Sequence, residues 1–481
     1  MTRGSKKNST KIRNSKANIP QVHSLNILLG GHTKIATITL PVGSETDLTL
    51  VYEPSWIADG FAISPHLPLD GSFDHQSVRN YLQNLLPEGK GLEEITTNTT
   101  ISKNNTFGLI KIIGEETSGA FSFKAEGTTK SKTTYREISP EELKNKLDRF
   151  KRTGESITYW DGRTRLSVAG VQDKLNVLEL NGKLGFGEGK LCSNKIFKFE
   201  TGKVPFIAVN ELFTMLLAKE MGLDIPAVEI RTYGEVRTFV IDRFDRRVSP
   251  EKDHVLRRHV IDACQATNLP PSYKYERQHG DDGIYIRDGV SFTKLFNVKT
   301  VNPQAYQSQL IKWMTFNIIN RNFDAHGKNI SFFLGKQGVV LTPFYDLVNI
   351  EAIIREIQNK QRDTTDSLDQ SAAPQMPRNY AMPIGEFEPG TSGNFNPPIT
   401  AYMLADFAHE FDISLPRLQL LMSQMLSGIE NAQIKAKENA IKQGLSDNEL
   451  NHIDLCITII DEATAQLKEE IEQLPDMAVF I

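Results

Sequence analysis

The alternation of apolar and polar residues changes period part-way along the chain. Residues 24–52 read as β hairpins: Leu25 to Leu29 runs into a Gly30-Gly31 turn, after which Ile35, Thr37 and Thr39 continue the alternation. Ser77 to Leu86 instead carries Val78, Leu82 and Leu85 at helical spacings of three and four. Phe107 to Phe123 combines a short apolar segment with Gly114, Gly119 and a strand, and the polar run Thr128 to Thr134 predicts a linker. From Trp160, strands alternate with loops: Lys174 to Leu180, Lys183 to Phe186, Lys195 to Phe199, Ala227 to Ile230 and Thr238 to Ile241. Among them Val209 to Met221 is apolar nearly all round, which predicts a deeply buried helix.

From Asn302 onward the helical period dominates. Tyr306, Leu310, Trp313 and Asn317 share a face of a helix over Tyr306 to Asn320, and Leu415 to Gln443 and Asn448 to Gln473 predict two long amphipathic helices. Ser446, with Glu449 three residues on, predicts a capping box at the start of the last one. Arg362 to Pro398 is polar and rich in Pro and Gly, so a long, partly disordered loop is expected there. A β-rich part followed by a nearly all-helical half predicts an α+β fold, an order that several architectures share.

Composition narrows the class. A chain of 481 residues makes two or three domains, and 39% hydrophobic with 24% charged residues is ordinary for a globular protein. A net charge of −4 excludes the chain as a whole from being an electrostatic match for nucleic acid. Cys192, Cys264 and Cys456 are odd in number and far apart, which excludes a disulfide framework or zinc cluster and points to a reducing cytoplasm. No apolar run reaches about 18 residues, so no membrane span is expected. Met1 to Pro20 carries Arg3, Lys6, Lys7, Lys11, Arg13 and Lys16 without an acid; a disordered basic tail is expected, weak contact with DNA or another polyanion being the other reading.

The candidate chemistry lies just after the changeover to helices. In Asn322-Phe323-Asp324-Ala325-His326-Gly327-Lys328-Asn329 a carboxylate and a carboxamide stand five positions apart, and Pro343-Phe344-Tyr345-Asp346 adds a second carboxylate after a strand-like run. Protein-kinase-like folds build their catalytic end this way. One Asp accepts or orients the proton of an attacking hydroxyl, while the Asn and the second Asp supply hard oxygens for Mg²⁺ on nucleotide phosphates. The other reading is a turn whose Asn and Asp side chains bond local backbone. On this spacing alone the two stand level. Gly185-Phe186-Gly187-Glu188-Gly189 looks like a nucleotide loop, but it lacks the G-x-G-x-x-G spacing and Glu188 would repel phosphate, so a hairpin turn is expected.

Asp161-Gly162-Arg163, leading into Arg165-Leu166-Ser167-Val168-Ala169-Gly170-Val171-Gln172-Asp173-Lys174, closely resembles the HipA family of serine/threonine kinase toxins, as do Asn322 to Asn329 and Leu341 to Asp346. The resemblance extends, in collinear order, over Asn84 to Gly89, Gly119 to Phe123, Ile196 to Phe199, Asn210-Glu211, Asp242 to Arg246 and Asp262 to Gln265. It implies a bilobal, protein-kinase-like α+β fold with a small amino-terminal α/β subdomain and a mostly helical carboxy-terminal lobe. The expected division is a tail over 1–20, the amino-terminal subdomain over 21–130, an N-lobe over 131–245 and a C-lobe over 246–481 with a long loop at 360–400.

The resemblance also implies ATP and Mg²⁺ as cofactors and a role for each matching position. Val168 to Lys174 would be the phosphate loop, where Ala169 and Gly170, with Val171, Gln172 and Asp173, let backbone N–H groups approach phosphate and Lys174 adds charge. Lys198 would neutralise phosphate, against a solvated strand-end lysine as the alternative. Asp242, Arg243 and Phe244 would form the adenine hinge, Asp242 and Arg243 being otherwise a surface ion pair. Asp324 would be the catalytic base, with Asn329 and Asp346 as metal ligands. His326, Lys328 and Tyr345 would line the phosphate or nucleoside side, unless His326 fixes backbone and Tyr345 simply packs. Ser167 matches the family's autophosphorylation site; a phosphate there would bring about −1.5 to −2 charges beside those of ATP and favour an ejected loop.

The family's partner is a helix-turn-helix antitoxin, HipB, that binds operator DNA. Its known substrates lie in the translation machinery, aminoacyl-tRNA synthetases in particular. The basic tail of about 20 residues is far shorter than a helix-turn-helix domain, so DNA contact is expected mainly through the antitoxin; in the stretch where some family members touch DNA, Arg378 is the sole cation from Asp363 to Thr400. Two other functions fit the same residues: a small-molecule phosphotransferase, and a catalytically weak corepressor acting with a DNA-binding partner.

Overall fold

Four antiparallel strands open the fold. Val22–Leu29 and Thr33–Pro41 meet across Gly30 and Gly31, which adopt φ of 61° and 76°, and Thr49–Tyr52 and Phe121–Ala125 flank the pair. A side chain lacking glycine's freedom would be strained at that turn. Leu25, Ile27, Ala36 and Ile38 point into the core, where helices His75–Gln83 and Thr106–Ile113 cover them, each started by a side-chain cap from Asp74 or Asn105. The computed structural model describes residues 22–127, 132–165, 174–202, 204–277, 279, 286–363, 378–384 and 399–480. The expectations for 1–20 and for most of 360–400 fall outside them.

The second sheet has six antiparallel strands in the order Val228–Tyr233, Val236–Asp242, Lys195–Phe199, Lys174–Leu180, Lys183–Glu188 and Thr134–Ile138. Its last strand and the helix Pro140–Thr153 go beyond the linker-like reading of their surroundings. Thr134–Ile138 has too few apolar residues to announce itself; pairing with Lys183–Glu188 makes it an edge strand. The same pairing corrects the expected hairpin turn at Gly185 to Gly189. Gly185 and Gly187 are strand residues, and a Cβ at Gly185 would sit 2.5 Å from the Arg136 carbonyl oxygen.

A small three-stranded sheet, Val260–Asp262, Ser331–Gly335 and Gly338–Leu341, leads into the helical lobe. Helix Pro303–Ile319 is buried nearly all round, and Asp447–Glu472 begins with the Ser446/Glu449 capping box. The single helix expected over 415–443 is two, Leu415–Ser427 and Ile429–Ile441, broken at Gly428, whose missing side chain makes it a weak helix former.

Among the described residues two large cores and a small third one, around Leu178, Leu191, Cys192 and Val255, divide the molecule unevenly. The largest runs from the amino-terminal sheet through helix Ile207–Glu220 into the helical lobe; the second lies under the six-stranded sheet against helix Pro140–Thr153. The amino-terminal unit is therefore fastened to the helical lobe. Asn80 and Asn84 donate to the Asn268 and Leu269 carbonyls at 2.7 and 2.8 Å, and Ser64 donates to Gln265 at 3.3 Å.

Candidate active site

A cavity of about 460 Å³ lies where the six-stranded sheet, the three-stranded sheet and the amino-terminal unit meet. Lys174 and Lys198 enter it from neighbouring strands, at paired positions. Lys198 is buried between two carboxylates: its ammonium lies 2.6 Å from Glu211 and in contact with Asp346. Glu211 comes from helix Ile207–Glu220. Asp346 stands at a backbone φ of 59°, a conformation that few side-chain-bearing residues adopt and that recurs at functional sites.

The electrostatics of this cluster follow from burial and charge. Burial disfavours the Lys198 cation, yet Asp346 and Glu211 outweigh it and hold the ammonium charged above the ordinary range. Burial likewise opposes ionised Asp346, but Lys198 and Lys174 hold it well below the usual carboxylate range. Glu211 is pushed up to about 7 by burial, with Lys198 opposing and Asp346 assisting. Burial, reinforced by Lys198, pulls Lys174 down to about 8.

The catalytic-loop candidate forms the opposite wall. Asp324 is exposed to the cleft, and its carboxylate accepts the Tyr275 hydroxyl at 2.7 Å. Asn329 donates from Nδ2 to the Asp324 carbonyl at 2.8 Å, which fixes the loop and leaves Oδ1 without a partner among the described residues. Local backbone bonding thus coexists in this segment with a carboxylate open to the cleft. His326 Nδ1 accepts the Lys328 N–H at 3.3 Å, a backbone-fixing role, and burial lowers its pKa. Lys328 lines the cavity with its ammonium 2.6 Å from Asp262 and 3.0 Å from the Asn84 side chain. The Tyr345 hydroxyl donates to the Lys328 carbonyl at 2.8 Å, and its ring lies 5.7 Å from that of Phe244.

Asp242 and Arg243 do not pair with each other. Asp242 meets Lys195, whereas Arg243 is buried with its guanidinium on Asp245 at 3.0 Å and on Ser193 at 2.9 Å. Their N–H groups are also engaged, by the Ala227 and Asn194 carbonyls at 2.9 Å each. The Phe244 N–H has no acceptor among the described residues. Ser167, Ala169, Gly170, Val171, Gln172 and Asp173 lie outside the described residues.

A family model described as the HipA-like C-terminal domain matches residues 166–423, and one for the HipA N-terminal domain matches residues 25–124. The serine/threonine-protein kinase toxin HipA of Shewanella oneidensis is 40% identical over 325 residues, 67% of this chain and 74% of that protein. The chain belongs to the HipA family. A chain of a solved Shewanella oneidensis MR-1 complex of HipA, HipB and operator DNA is 33% identical, with a TM-score of 0.79, covering 94% of this chain and 99% of that one. The putative kinase Y4mE of Sinorhizobium fredii is 27% identical over 64% of this chain and 73% of its own length. The fold is accordingly the bilobal kinase-like one, and the chain is a HipA-like serine/threonine kinase toxin.

Within this HipA-like site, Glu211 is the participant that carried no assigned role in the sequence. Asn210-Glu211 was visible as a motif, but only the fold brings the carboxylate to Lys198, the Lys–Glu pair that kinases require in place. Glu88 likewise lay in a visible motif, Asn84 to Gly89, without an assigned role, whereas Tyr275 had no comparable signal. Among the described residues no group of three or more His, Cys, Asp or Glu could hold a metal. The Asn329 amide oxygen and the Asp346 carboxylate are nevertheless a fitting pair for Mg²⁺, which takes few protein oxygens and keeps waters and phosphate oxygens.

Proposed function

We propose that this chain transfers the γ-phosphoryl group of ATP to a serine or threonine hydroxyl in a Mg²⁺-dependent reaction, as the toxin of a HipBA-like pair. The carrying observation is the convergence of Lys198, held by Glu211 at 2.6 Å, with Asp324, Asn329 and Asp346 on one cavity. Lys198 and Lys174 would take the phosphate charge, Glu211 keeping Lys198 extended. The Phe244 N–H is the hinge donor for adenine, since those of Asp242 and Arg243 are already engaged. Asn329 Oδ1 and Asp346 would hold Mg²⁺, which when bound offsets charge on the transferred group. Asp324, open to the cleft, orients the acceptor hydroxyl and receives its proton.

The division into an amino-terminal subdomain to about residue 130, an N-lobe to 245 and a C-lobe beyond is part of this proposal. So is autophosphorylation at Ser167, at the entrance of the segment matched to the phosphate loop. A HipB-like antitoxin would hold the kinase inactive and carry most of the operator contact. Arg378, the cation of the 363–400 stretch, is in an ion pair with Glu351 at 2.9 Å, which fits indirect contact. The substrate is proposed, from family membership, to be a translation component such as an aminoacyl-tRNA synthetase.

The test is γ-phosphate transfer, followed with thermal unfolding, in wild type, Asp324→Asn and Asp346→Asn. Transfer is expected from wild type alone, with growth arrest on overexpression relieved by Asp324→Asn. Peptide mass spectrometry should find phosphate on Ser167 in wild type and none in Asp324→Asn. Wild-type transfer by either folded variant would remove that residue from its role.

A further inference from the structure

A phosphoryl group in transfer carries charge on its three equatorial oxygens, so cations are needed wherever that charge is exposed. Lys174 and Lys198 serve the nucleotide side. The catalytic loop brings no spare cation to the acceptor side, because Lys328 spends all three ammonium donors on the Asp262 carboxylate and on the side chain and carbonyl of Asn84, and burial disfavours the His326 cation. A different segment approaches the base. Residues 273–276 are pinned by the Val290 N–H on the Tyr273 carbonyl at 2.9 Å and the Gly289 N–H on the Glu276 carbonyl at 3.1 Å. They are joined to the catalytic loop itself by the Gly327 N–H on the Lys274 carbonyl at 2.8 Å.

That anchoring delivers two side chains. Tyr275 donates its hydroxyl to Asp324 Oδ1 at 2.7 Å, with its ring edge-on to His326 at 5.1 Å. Lys274 lines the same cavity, its ammonium 5.3 Å from the centre of the Tyr275 ring and 2.9 Å from Glu88, which comes from the amino-terminal unit.

We infer that Tyr275 is a positioning residue for Asp324, and that Lys274 is the cation for the transferred phosphoryl group, parked on Glu88 until the nucleotide enters. This rests on the reading of Asp324 as base. In the step, the acceptor oxygen bonds to the γ-phosphorus as the bond to the β–γ bridging oxygen breaks. The hydroxyl proton passes to Asp324, and the electron pair leaves on ADP. Lys274 compensates charge on the non-bridging oxygens without exchanging a proton.

The experiment compares wild type, Lys274→Met, Lys274→Arg, Tyr275→Phe and Asp324→Asn by γ-phosphate transfer from ATP, equilibrium binding of a non-hydrolysable ATP analogue, and thermal unfolding. Lys274→Met is expected to lower kcat by about 10²–10³-fold with analogue affinity nearly unchanged, and Lys274→Arg to recover part of it. Tyr275→Phe should lower kcat by about tenfold, again without loss of affinity. Wild-type kcat in Lys274→Met or in Tyr275→Phe overturns that residue's role. Loss of analogue affinity in proportion to kcat assigns Lys274 to nucleotide binding and overturns the inference. Equal loss in Met and Arg variants with a matching fall in melting temperature reduces the Lys274–Glu88 pair to a brace, and also overturns it. Activity in Asp324→Asn would instead strike the reading of the base; an inactive Asp324→Asn beside a fully active Lys274→Met sinks this inference alone.

Discussion

Two buried ion networks flank the cleft, and they differ in what they leave for a ligand to change. Around Asp245 both carboxylate oxygens are answered from inside the protein, by Arg243, by Arg246 and by the Gly119 N–H at 3.0 Å. Arg246 continues to the Gly119 and Thr117 carbonyls at 2.8 Å, tying the hinge segment to the amino-terminal unit. Around Lys198 a single ammonium faces two carboxylates, with Lys174 alongside, and the cluster opens on the cavity. There an incoming phosphate or metal can replace an internal partner. Buried charge therefore does not by itself mark a functional site; exchangeable pairing against a cavity does.

The sharpest way to break the comparison is to alter the open network. Asp346→Asn, like Asp324→Asn across the cavity, should reduce γ-phosphate transfer by about 10³-fold or more while the protein still unfolds cooperatively near the wild-type temperature. If Asp346→Asn transfers normally, the open network is structural like the closed one.

The closed network should fail in the opposite sense. Removing one partner leaves buried guanidiniums uncompensated, so Asp245→Ala should cost about 3–5 kcal/mol in denaturant unfolding. Glu211→Gln, in the open network, should lose transfer with a much smaller change in stability. Equal destabilisation by the two would erase the distinction.

Lys174 offers a pH test with two opposed signs. Its folded pKa of about 8 lies below the ordinary 10.5, so the ammonium is lost as pH rises through 8. ATP affinity, measured by nucleotide titration, should weaken over that interval in wild type and stay level in Lys174→Arg. Stability moves the other way: between the two pKa values the unfolded chain binds more protons, so this group's contribution to stability rises with pH.

The smallest expected effect serves as a control far from both networks. Ser446→Ala removes the capping box of helix Asp447–Glu472 and should cost about 1 kcal/mol, with transfer unchanged. A fall in activity would show that the carboxy-terminal helix reports directly on the cleft.

The same division between local and distant interactions explains what could be read from the chain. Helix Pro303–Ile319, the Ser446 cap and the hairpin at Gly30-Gly31 follow from periods and bonds within a few residues, which a short window of sequence displays. Asp324, Asn329 and Asp346 were recognisable because their spacing sits in one loop and the strands that follow it. The break at Gly428 was harder, since apolar periodicity continues across it and one glycine is often tolerated within a helix. The strand Thr134–Ile138 was hidden because an edge strand draws its order from its neighbour more than from its own residues.

By itself, then, the sequence determined the α+β order of elements, the family and the chemical inventory of the catalytic loop. It could not say which groups that inventory would meet. Lys198 and Asp346 are 148 residues apart, and Tyr275 and Asp324 are 49 apart. Such pairings are decided by how separate elements pack, and no local period records them. Tertiary structure alone put Glu211 against Lys198, turned Arg243 and Lys328 inward onto carboxylates, and placed Glu88 of the amino-terminal unit beside Lys274, because burial forces each charge to find its partner wherever the fold provides one.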